Sequence, residues 1–438
     1  SVIPMKRFFC SGPQLPQDIA DSPALQAALD ILPSNYNFEL HKTAWRIRQC
    51  AANRIALQFP EGLQMFACTI ADALHSACNV DCVLLGDVAY GACCVDDYTA
   101  VLLGCQLLVH YGHSCLVPID QTASVKMLYV FVDIAFDTQH LLDSVRTNLS
   151  SQTRLALLGI VQFVASLQSL KKQLEDSGFS VIVPQCKPLS PGEVLGCTAP
   201  RLQDTVDAIL FIGDGRFHLE SAMLANPHLP AYQYNPYDKR LTCERFAHDE
   251  VLRNRQAAIE AAKSACTFGI IQGSLGRQGS VRVVQRLEER LAAAGKSCIT
   301  LLMSEIFPAK LALFPDVEAW VQVACPRLSV DWGAEFPKPL LTPYELCALL
   351  GEAPSPSIDY PTDFYAYESL GDWTPNHRAN RIGRVGRTAA TRTASALVGA
   401  SEQQQSCGCH GLTGCPNATC CSADAARAGQ AQTVKEGV

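Results

Sequence analysis

The stretch LLGDVAYGACCVDD, Leu84–Asp97, decides how the chain is read. Val83–Leu85 close a short apolar run and Gly86-Asp87 turn the chain. Gly91-Ala92 then present the adjacent Cys93 and Cys94, with Asp96 and Asp97 behind them. This is a strand end feeding a tight, glycine-rich loop. In open α/β sheets, ligands bind beyond the carboxyl ends of the strands, and a thiolate placed there can hold a metal. A buried free cysteine is the plainer reading of the same residues. Two later stretches favour the metal: GCTAPRL (Gly196–Leu202) and VQVACPRLSVDWG (Val321–Gly333) each set one cysteine, Cys197 or Cys325, beside a strand.

Working outward, one pattern occurs three times. The buried run RIALQFPEG (Arg54–Gly62), a helical LQMFACTIADALHSA, the strand VDCVLLGD and the strand LLVHYGH (Leu107–His113) make the first round. TRLALLGIVQF (Thr153–Phe163) opens the second, with a helix stopping at Gly178, a strand FSVIVPQ, the Cys197 loop and the strand AILFIGDGRFH (Ala208–His218). CTFGIIQGSLGRQGS (Cys266–Ser280) opens the third, with a helix stopping at Gly295, KSCITLLMSEI, and AWVQVACP (Ala319–Pro326), which ends on Cys325. Helical runs between parallel strands imply right-handed crossovers. The expected fold is therefore α/β: three related Rossmann-like parallel-sheet domains in a pseudo-threefold arrangement. The boundaries read as an N-terminal lead-in (1–36), domains 37–145, 146–250 and 251–350, a Pro-rich extended wrapping segment (351–378) and a disordered Cys-rich tail (379–438). Within the lead-in, Asp18–Leu32 reads as one weak helix. NYNFELHKTAWRI after it is either an amphipathic docking segment or a helix packed on the core.

The totals agree. A chain of 438 residues is long enough for about three domains at ~150 residues each. A net charge of −7 argues against electrostatically driven nucleic-acid binding. No run of 18 apolar residues suggests a membrane span. The opening SVIPMKRFFCSG has no signal-peptide core and starts at Ser, as a chain missing its true start would. The 21 cysteines are odd in number and scattered through apolar elements. That suits a reduced, cytoplasmic protein with a few thiols serving as metal ligands better than a disulfide framework.

If the three units pack about a common axis, Cys93, Cys197 and Cys325 converge on one centre. Four thiolates would satisfy every iron of a [4Fe–4S] cube; three leave one iron open, by the logic that keeps a position free in catalytic zinc sites. The CxxxCxxC run of most radical S-adenosylmethionine enzymes is absent, so the ligands would come from far apart in sequence. GSLGRQG (Gly273–Gly279) sits at a strand-to-helix junction and is either an anion cradle with an Arg277 fork for a carboxylate or simply a tight turn. HYGHSC (His110–Cys115) reads as a polar strand end. Asp331 and Trp332 either line the site or form a solvated turn. The tail cysteines Cys407, Cys409, Cys415, Cys420 and Cys421, with His410, fit no trusted zinc pattern.

LPSNYNFELHKTAWRI, LQFPEGLQMFA, GDVAYGACCVDD, HYGHSCLVP, GCTAPRL, QGSLGRQG, EAWVQVACPRLSVDWG and KPLLTPYE together resemble the diphthamide biosynthesis protein 1 family, over about Pro23 to His377. The resemblance implies three α/β domains, each giving one cysteine (by motif Cys93, Cys197 and Cys325) to a [4Fe–4S] cluster, with Cys94 the alternative at the first position. It implies cleavage of S-adenosylmethionine at the Cγ–S bond and transfer of the 3-amino-3-carboxypropyl radical to a histidine of translation elongation factor 2. It also implies a heterodimer with a related second subunit and a small CSL zinc-finger protein as electron donor. Gly273, Ser274, Gly276, Arg277, Gln278 and Asp331 are the candidate contacts to S-adenosylmethionine. The alternatives are a cluster-dependent dehydratase resembling quinolinate synthase and a non-catalytic partner subunit.

Overall fold

The first strand of each round is buried on both sides, which is why it reads as an unbroken apolar run. Side chains alternate across a strand: Ile55 and Leu57 enter one core while Ala56 enters another. Leu155 and Leu157 likewise part from Leu158, and Phe268 and Ile270 from Ile271. The computed structural model describes residues 15–117, 122–202, 205–357 and 360–380. The tail expected to be disordered lies outside them beyond residue 380.

Among the described residues there are four sheets, one only the short antiparallel pairing of Tyr36–Asn37 with Asp133–Ile134, and three large ones. The first runs Asp81–Leu84, Arg54–Gln58, Leu107–Tyr111, Lys126–Val130, all parallel. The second runs Ser180–Ile182, Arg154–Gly159, Ala208–Ile212, Ala231–Asn235, all parallel, with Arg240–Glu244 antiparallel at its edge. The third runs Ser297–Met303, Thr267–Gly273, Ala319–Val323, Leu340–Leu341, all parallel. Each places its second strand outside its first and its third inside, so the order 2-1-3-4 recurs. This order puts a crevice at the carboxyl ends of the first and third strands. The described residues of all three sheets fall within a single compact unit.

The helices cover the sheet faces by their apolar stripes. Val281–Ala293 buries Val283, Val284, Leu287 and Leu291, the spacing of one helical face. The stops expected at Gly178 and Gly295 are there, with φ of 93° and 70°. The weak N-terminal helix is two, Gln17–Ala20 and Pro23–Ile31, because Pro23 starts a new helix at its first turn. The helix Leu40–Cys50 buries Leu40, Thr43, Ala44 and Ile47, so the NYNFELHKTAWRI segment packs on the core. The fourth strands and Arg240–Glu244 are absent from the sequence reading.

Candidate metal centre

The Cys93 loop is held from beneath by one buried amide. Gln58, at the end of its strand, donates from Nε2 to the Cys94 carbonyl (2.8 Å) and accepts the Asp96 N–H on Oε1 (3.3 Å). His110 Nδ1 lies 2.9 Å from that same Oε1, so HYGHSC is a strand end whose histidine supports the loop.

The Gly273–Gly279 loop of the third sheet lies against the same peptide. The Arg277 N–H donates to the Cys93 carbonyl at 2.7 Å. Gly276 has φ +54°, and a Cβ there would stand 2.6 Å from Cys94 Cα and 2.7 Å from the Cys93 oxygen; only glycine fits. The Ser274 N–H goes to Met303 O (2.9 Å) and the Gln278 N–H to Leu275 O (3.3 Å). The Arg277 guanidinium forks onto Asp97, Nε to Oδ1 at 3.0 Å and Nη2 to Oδ2 at 2.5 Å, and donates to the Tyr98 hydroxyl at 3.0 Å. The carboxylate that Arg277 meets is thus the chain's own, fully buried Asp97. Gln278 Nε2 reaches Cys94 Sγ at 3.7 Å.

The Cys197 loop is pinned by the segment that follows the third sheet. The Phe364 N–H donates to the Cys197 carbonyl (3.2 Å), the Ala199 N–H to Thr362 O (3.0 Å) and the Tyr365 N–H to Thr198 Oγ1 (2.9 Å). Cys93 and Cys197 pack in one apolar cluster with Ala92, Leu116, Leu189, Phe364 and Tyr365.

Cys325 lies two residues past the strand Ala319–Val323, at the N-terminal cap position of the helix Pro326–Trp332. Gln322 Nε2 donates to its carbonyl (2.9 Å) and to Ser329 Oγ (3.1 Å). Two residues on, Arg327 is almost wholly buried. Its Nε donates to both Asp331 oxygens (2.8 and 2.9 Å) and Nη2 to Glu220 (2.7 Å). Nη1 donates to the carbonyls of Gly196 (3.1 Å) and Phe217 (2.8 Å). Asp331 therefore holds Arg327. Arg327 in turn ties the Cys325 helix to the residue before Cys197.

Polar side chains clasp each pair of sheets. Arg277–Asp97 joins the third to the first, and Arg327 with Gly196 and Glu220 joins the third to the second. Ser114, donating to Glu193, joins the first to the second.

The Cys197 and Cys325 thiols both feel the charge of Cys93. Burial pushes the Cys197 thiol well above the ordinary range, and the charges of Cys325 and Cys93 push it further. Burial and the charge of Cys93 raise Cys325 to about 11, against the pull of the Arg327 and Leu328 N–H groups and the Arg327 charge. Cys93 is raised first by its hydrogen bond with Cys94, then by burial. Three thiolates so placed disfavour each other unless positive charge sits among them. Among the described residues no group of three His, Cys, Asp or Glu side chains is gathered for a single metal ion. Cys93, Cys197 and Cys325 are soft thiol donors, the ligand type that iron–sulfur clusters take. Behind Cys197 and Arg327 lies a cavity of about 30 Å³, also lined by Tyr344, Tyr360 and Trp373; it has room for water and not for a nucleoside.

Residues 59–361 match the model of the diphthamide synthesis protein family. The chain belongs to that family. It is 58% identical over 368 residues to 2-(3-amino-3-carboxypropyl)histidine synthase subunit 1 of Nematostella vectensis, covering 84% of this chain and 78% of that one. It is 56% identical over 369 residues to the protein of that name from Homo sapiens, covering 84% of each. Among solved structures it is similar to Dph2 from Pyrococcus horikoshii crystallised with a 4Fe-4S cluster. The TM-score there is 0.63 at 29% identity, covering 74% of this chain and 94% of that one. No helix among the described residues is long and apolar enough to cross a membrane.

The sequence reading named Cys93, Cys197, Cys325 and the glycine loop but missed Arg327, Glu193 and Tyr365. Arg327 carried a signal, an arginine two residues past a strand-end cysteine. Tyr365 carried none.

Proposed function

We propose that this chain is the catalytic subunit that transfers the 3-amino-3-carboxypropyl group of S-adenosylmethionine to a histidine of translation elongation factor 2, the first step of diphthamide biosynthesis. In this reading Cys93, Cys197 and Cys325 hold a [4Fe–4S] cluster by three corners. The observation that carries it is the convergence of three half-buried cysteines from the loops of three sheets: Cys93 and Cys197 pack in one apolar cluster, and Arg327, two residues past Cys325, hydrogen-bonds the carbonyl of Gly196 beside Cys197. Support comes from the names of the relatives and the cluster in the Pyrococcus Dph2 crystal.

A cluster held by Cys93, Cys197 and Cys325 would supply the one-electron reduction needed to cleave the Cγ–S bond of S-adenosylmethionine. The chain's own work is positioning. Arg277–Asp97 and Arg327 fix the spacing of the cysteine loops, and the apolar wall of Leu116, Leu189 and Phe364 excludes water from one side. Gly273, Ser274, Gly276, Arg277 and Gln278 act on the co-substrate site by shaping the Cys93–Cys94 peptide, and Asp331 by orienting Arg327. Units 37–145, 146–250 and 251–350 surround this centre in a pseudo-threefold way, with 351–378 as a strap. The partners are a related second subunit, consistent with the relatives' name "subunit 1", and a CSL zinc-finger protein that delivers electrons in the cytoplasm.

The test is anaerobic reconstitution with iron, sulfide and the second subunit, followed by S-adenosylmethionine and elongation factor 2. Mass spectrometry should find the aminocarboxypropyl group on one histidine. Iron-loaded protein that leaves the factor unmodified and S-adenosylmethionine intact would refute the assignment.

A further inference from the structure

The segment after the third sheet does more than pin the Cys197 loop. Tyr365 is held at three points, two of them on its backbone. The Tyr365 N–H donates to Thr198 Oγ1 at 2.9 Å, its carbonyl accepts from Asn376 Nδ2 at 2.9 Å, and its ring packs edge-on against Phe364 at 4.8 Å. So held, the ring is 7% exposed and sits in the apolar cluster with Cys93 and Cys197. The phenol and the Cys93 thiol, packed in that one cluster, perturb each other's ionisation, and the charges of Cys197 and Cys325 reach the phenol as well.

We propose that Tyr365 is a tuning residue of the metal centre: its hydroxyl donates a hydrogen bond to the Cys93 sulfur and makes the bound cluster easier to reduce. The inference rests on the reading of Cys93, Cys197 and Cys325 as cluster ligands. A phenol with an ordinary pKa near 10 is a donor at neutral pH. A donor on a ligand sulfur stabilises the electron-rich, reduced state, and hydrogen bonds to the sulfurs are among the levers that set cluster potentials. Fixed by the strap at its backbone, the hydroxyl needs no reorganisation when the electron arrives.

The experiment is an anaerobic spectroelectrochemical titration of wild type, Tyr365→Phe and Tyr360→Phe, each reconstituted and with iron and sulfide counted. Tyr360 lies on the same strap, but its hydroxyl donates to Glu345 at 3.0 Å. Tyr365→Phe should load as much iron as wild type and be reduced about tenfold less favourably, a potential about 59 mV more negative for one electron. Tyr360→Phe should match wild type. Equal potentials in wild type and fully loaded Tyr365→Phe would overturn the proposal. So would an equal shift in Tyr360→Phe, which would make the effect a loosened strap, or failure of Tyr365→Phe alone to load iron, which would make the hydroxyl an assembly element. Wild type that loads no iron would instead remove the cluster assignment, and this inference with it.

Discussion

Replacing Arg327 by Met tests whether the spacing of two cysteine loops depends on one guanidinium. Met keeps an apolar stem for the Phe217 ring, over which the guanidinium carbon lies at 4.4 Å, and removes every donor. Glu220 and Asp331 lose their partner, and the carbonyls of Gly196 and Phe217 lose a donor each. Breaking a buried ion pair by deleting one member costs about 3–5 kcal/mol. Here the carboxylates are 22% and 25% exposed, so water reclaims part of their solvation and the low end, about 3 kcal/mol, applies. Lys restores the charge but not the fork and should recover less than half. The assay is equilibrium urea unfolding of the apo protein by circular dichroism, with iron per chain measured after reconstitution. Both should fall in Arg327→Met. A variant within about 0.5 kcal/mol of wild type, the usual range for an indifferent surface change, and with full iron would refute the clasp.

Three further outcomes are expected. Gly276→Ala puts a Cβ 2.6 Å from Cys94 Cα in a backbone at φ +54°; it should displace the Cys93–Cys94 peptide and lower the iron-to-protein ratio, and an unchanged ratio would show that the loop does not shape the centre. His110 is buried, its Nε2 lacks a hydrogen-bond partner, and burial holds its pKa down at about 3, from 6.5. The unfolded chain takes up a proton below 6.5 that the folded chain refuses until about 3. Its contribution is therefore fully present above pH 6.5 and is lost as pH falls, by up to about 1.4 kcal/mol per unit; urea unfolding of His110→Gln should be flatter between pH 7 and 5, and an unaltered slope would contradict this. The family match ends at residue 361, so a chain lacking residues 379–438 should still modify elongation factor 2 at near wild-type yield by mass spectrometry; an inactive truncation would give the tail a part in transfer.

The first and third strands were legible because burial on both faces leaves no polar alternation to confuse the run, as in Leu107–Tyr111. The fourth strands were not. Ala231–Asn235 mixes polar and aromatic residues, and Leu340–Leu341 is too short to signal anything alone. At the site, the cysteines stood out because each follows a strand in a loop marked by glycine or proline. Their supports did not, because they are contacts between distant parts of the chain: Arg277 meets Asp97 across 180 positions and Arg327 meets Gly196 across 131. The glycines of GSLGRQG announced a close approach without naming what approaches. It is the Cys94 backbone, and an anion cradle and a backbone contact ask for the same residues. Tyr365 lies in a Pro-rich stretch with no periodicity, so nothing local distinguishes it from Tyr360 or Tyr367.

The central claim is that three distant sulfurs share one cluster. Anomalous diffraction at the iron edge from crystals of the reconstituted protein tests it directly. The account predicts one compact iron peak with three irons bonded to Sγ of Cys93, Cys197 and Cys325 and a fourth free of protein sulfur. An iron peak elsewhere, or one with Cys94 in place of Cys93 or as a fourth ligand, would contradict it.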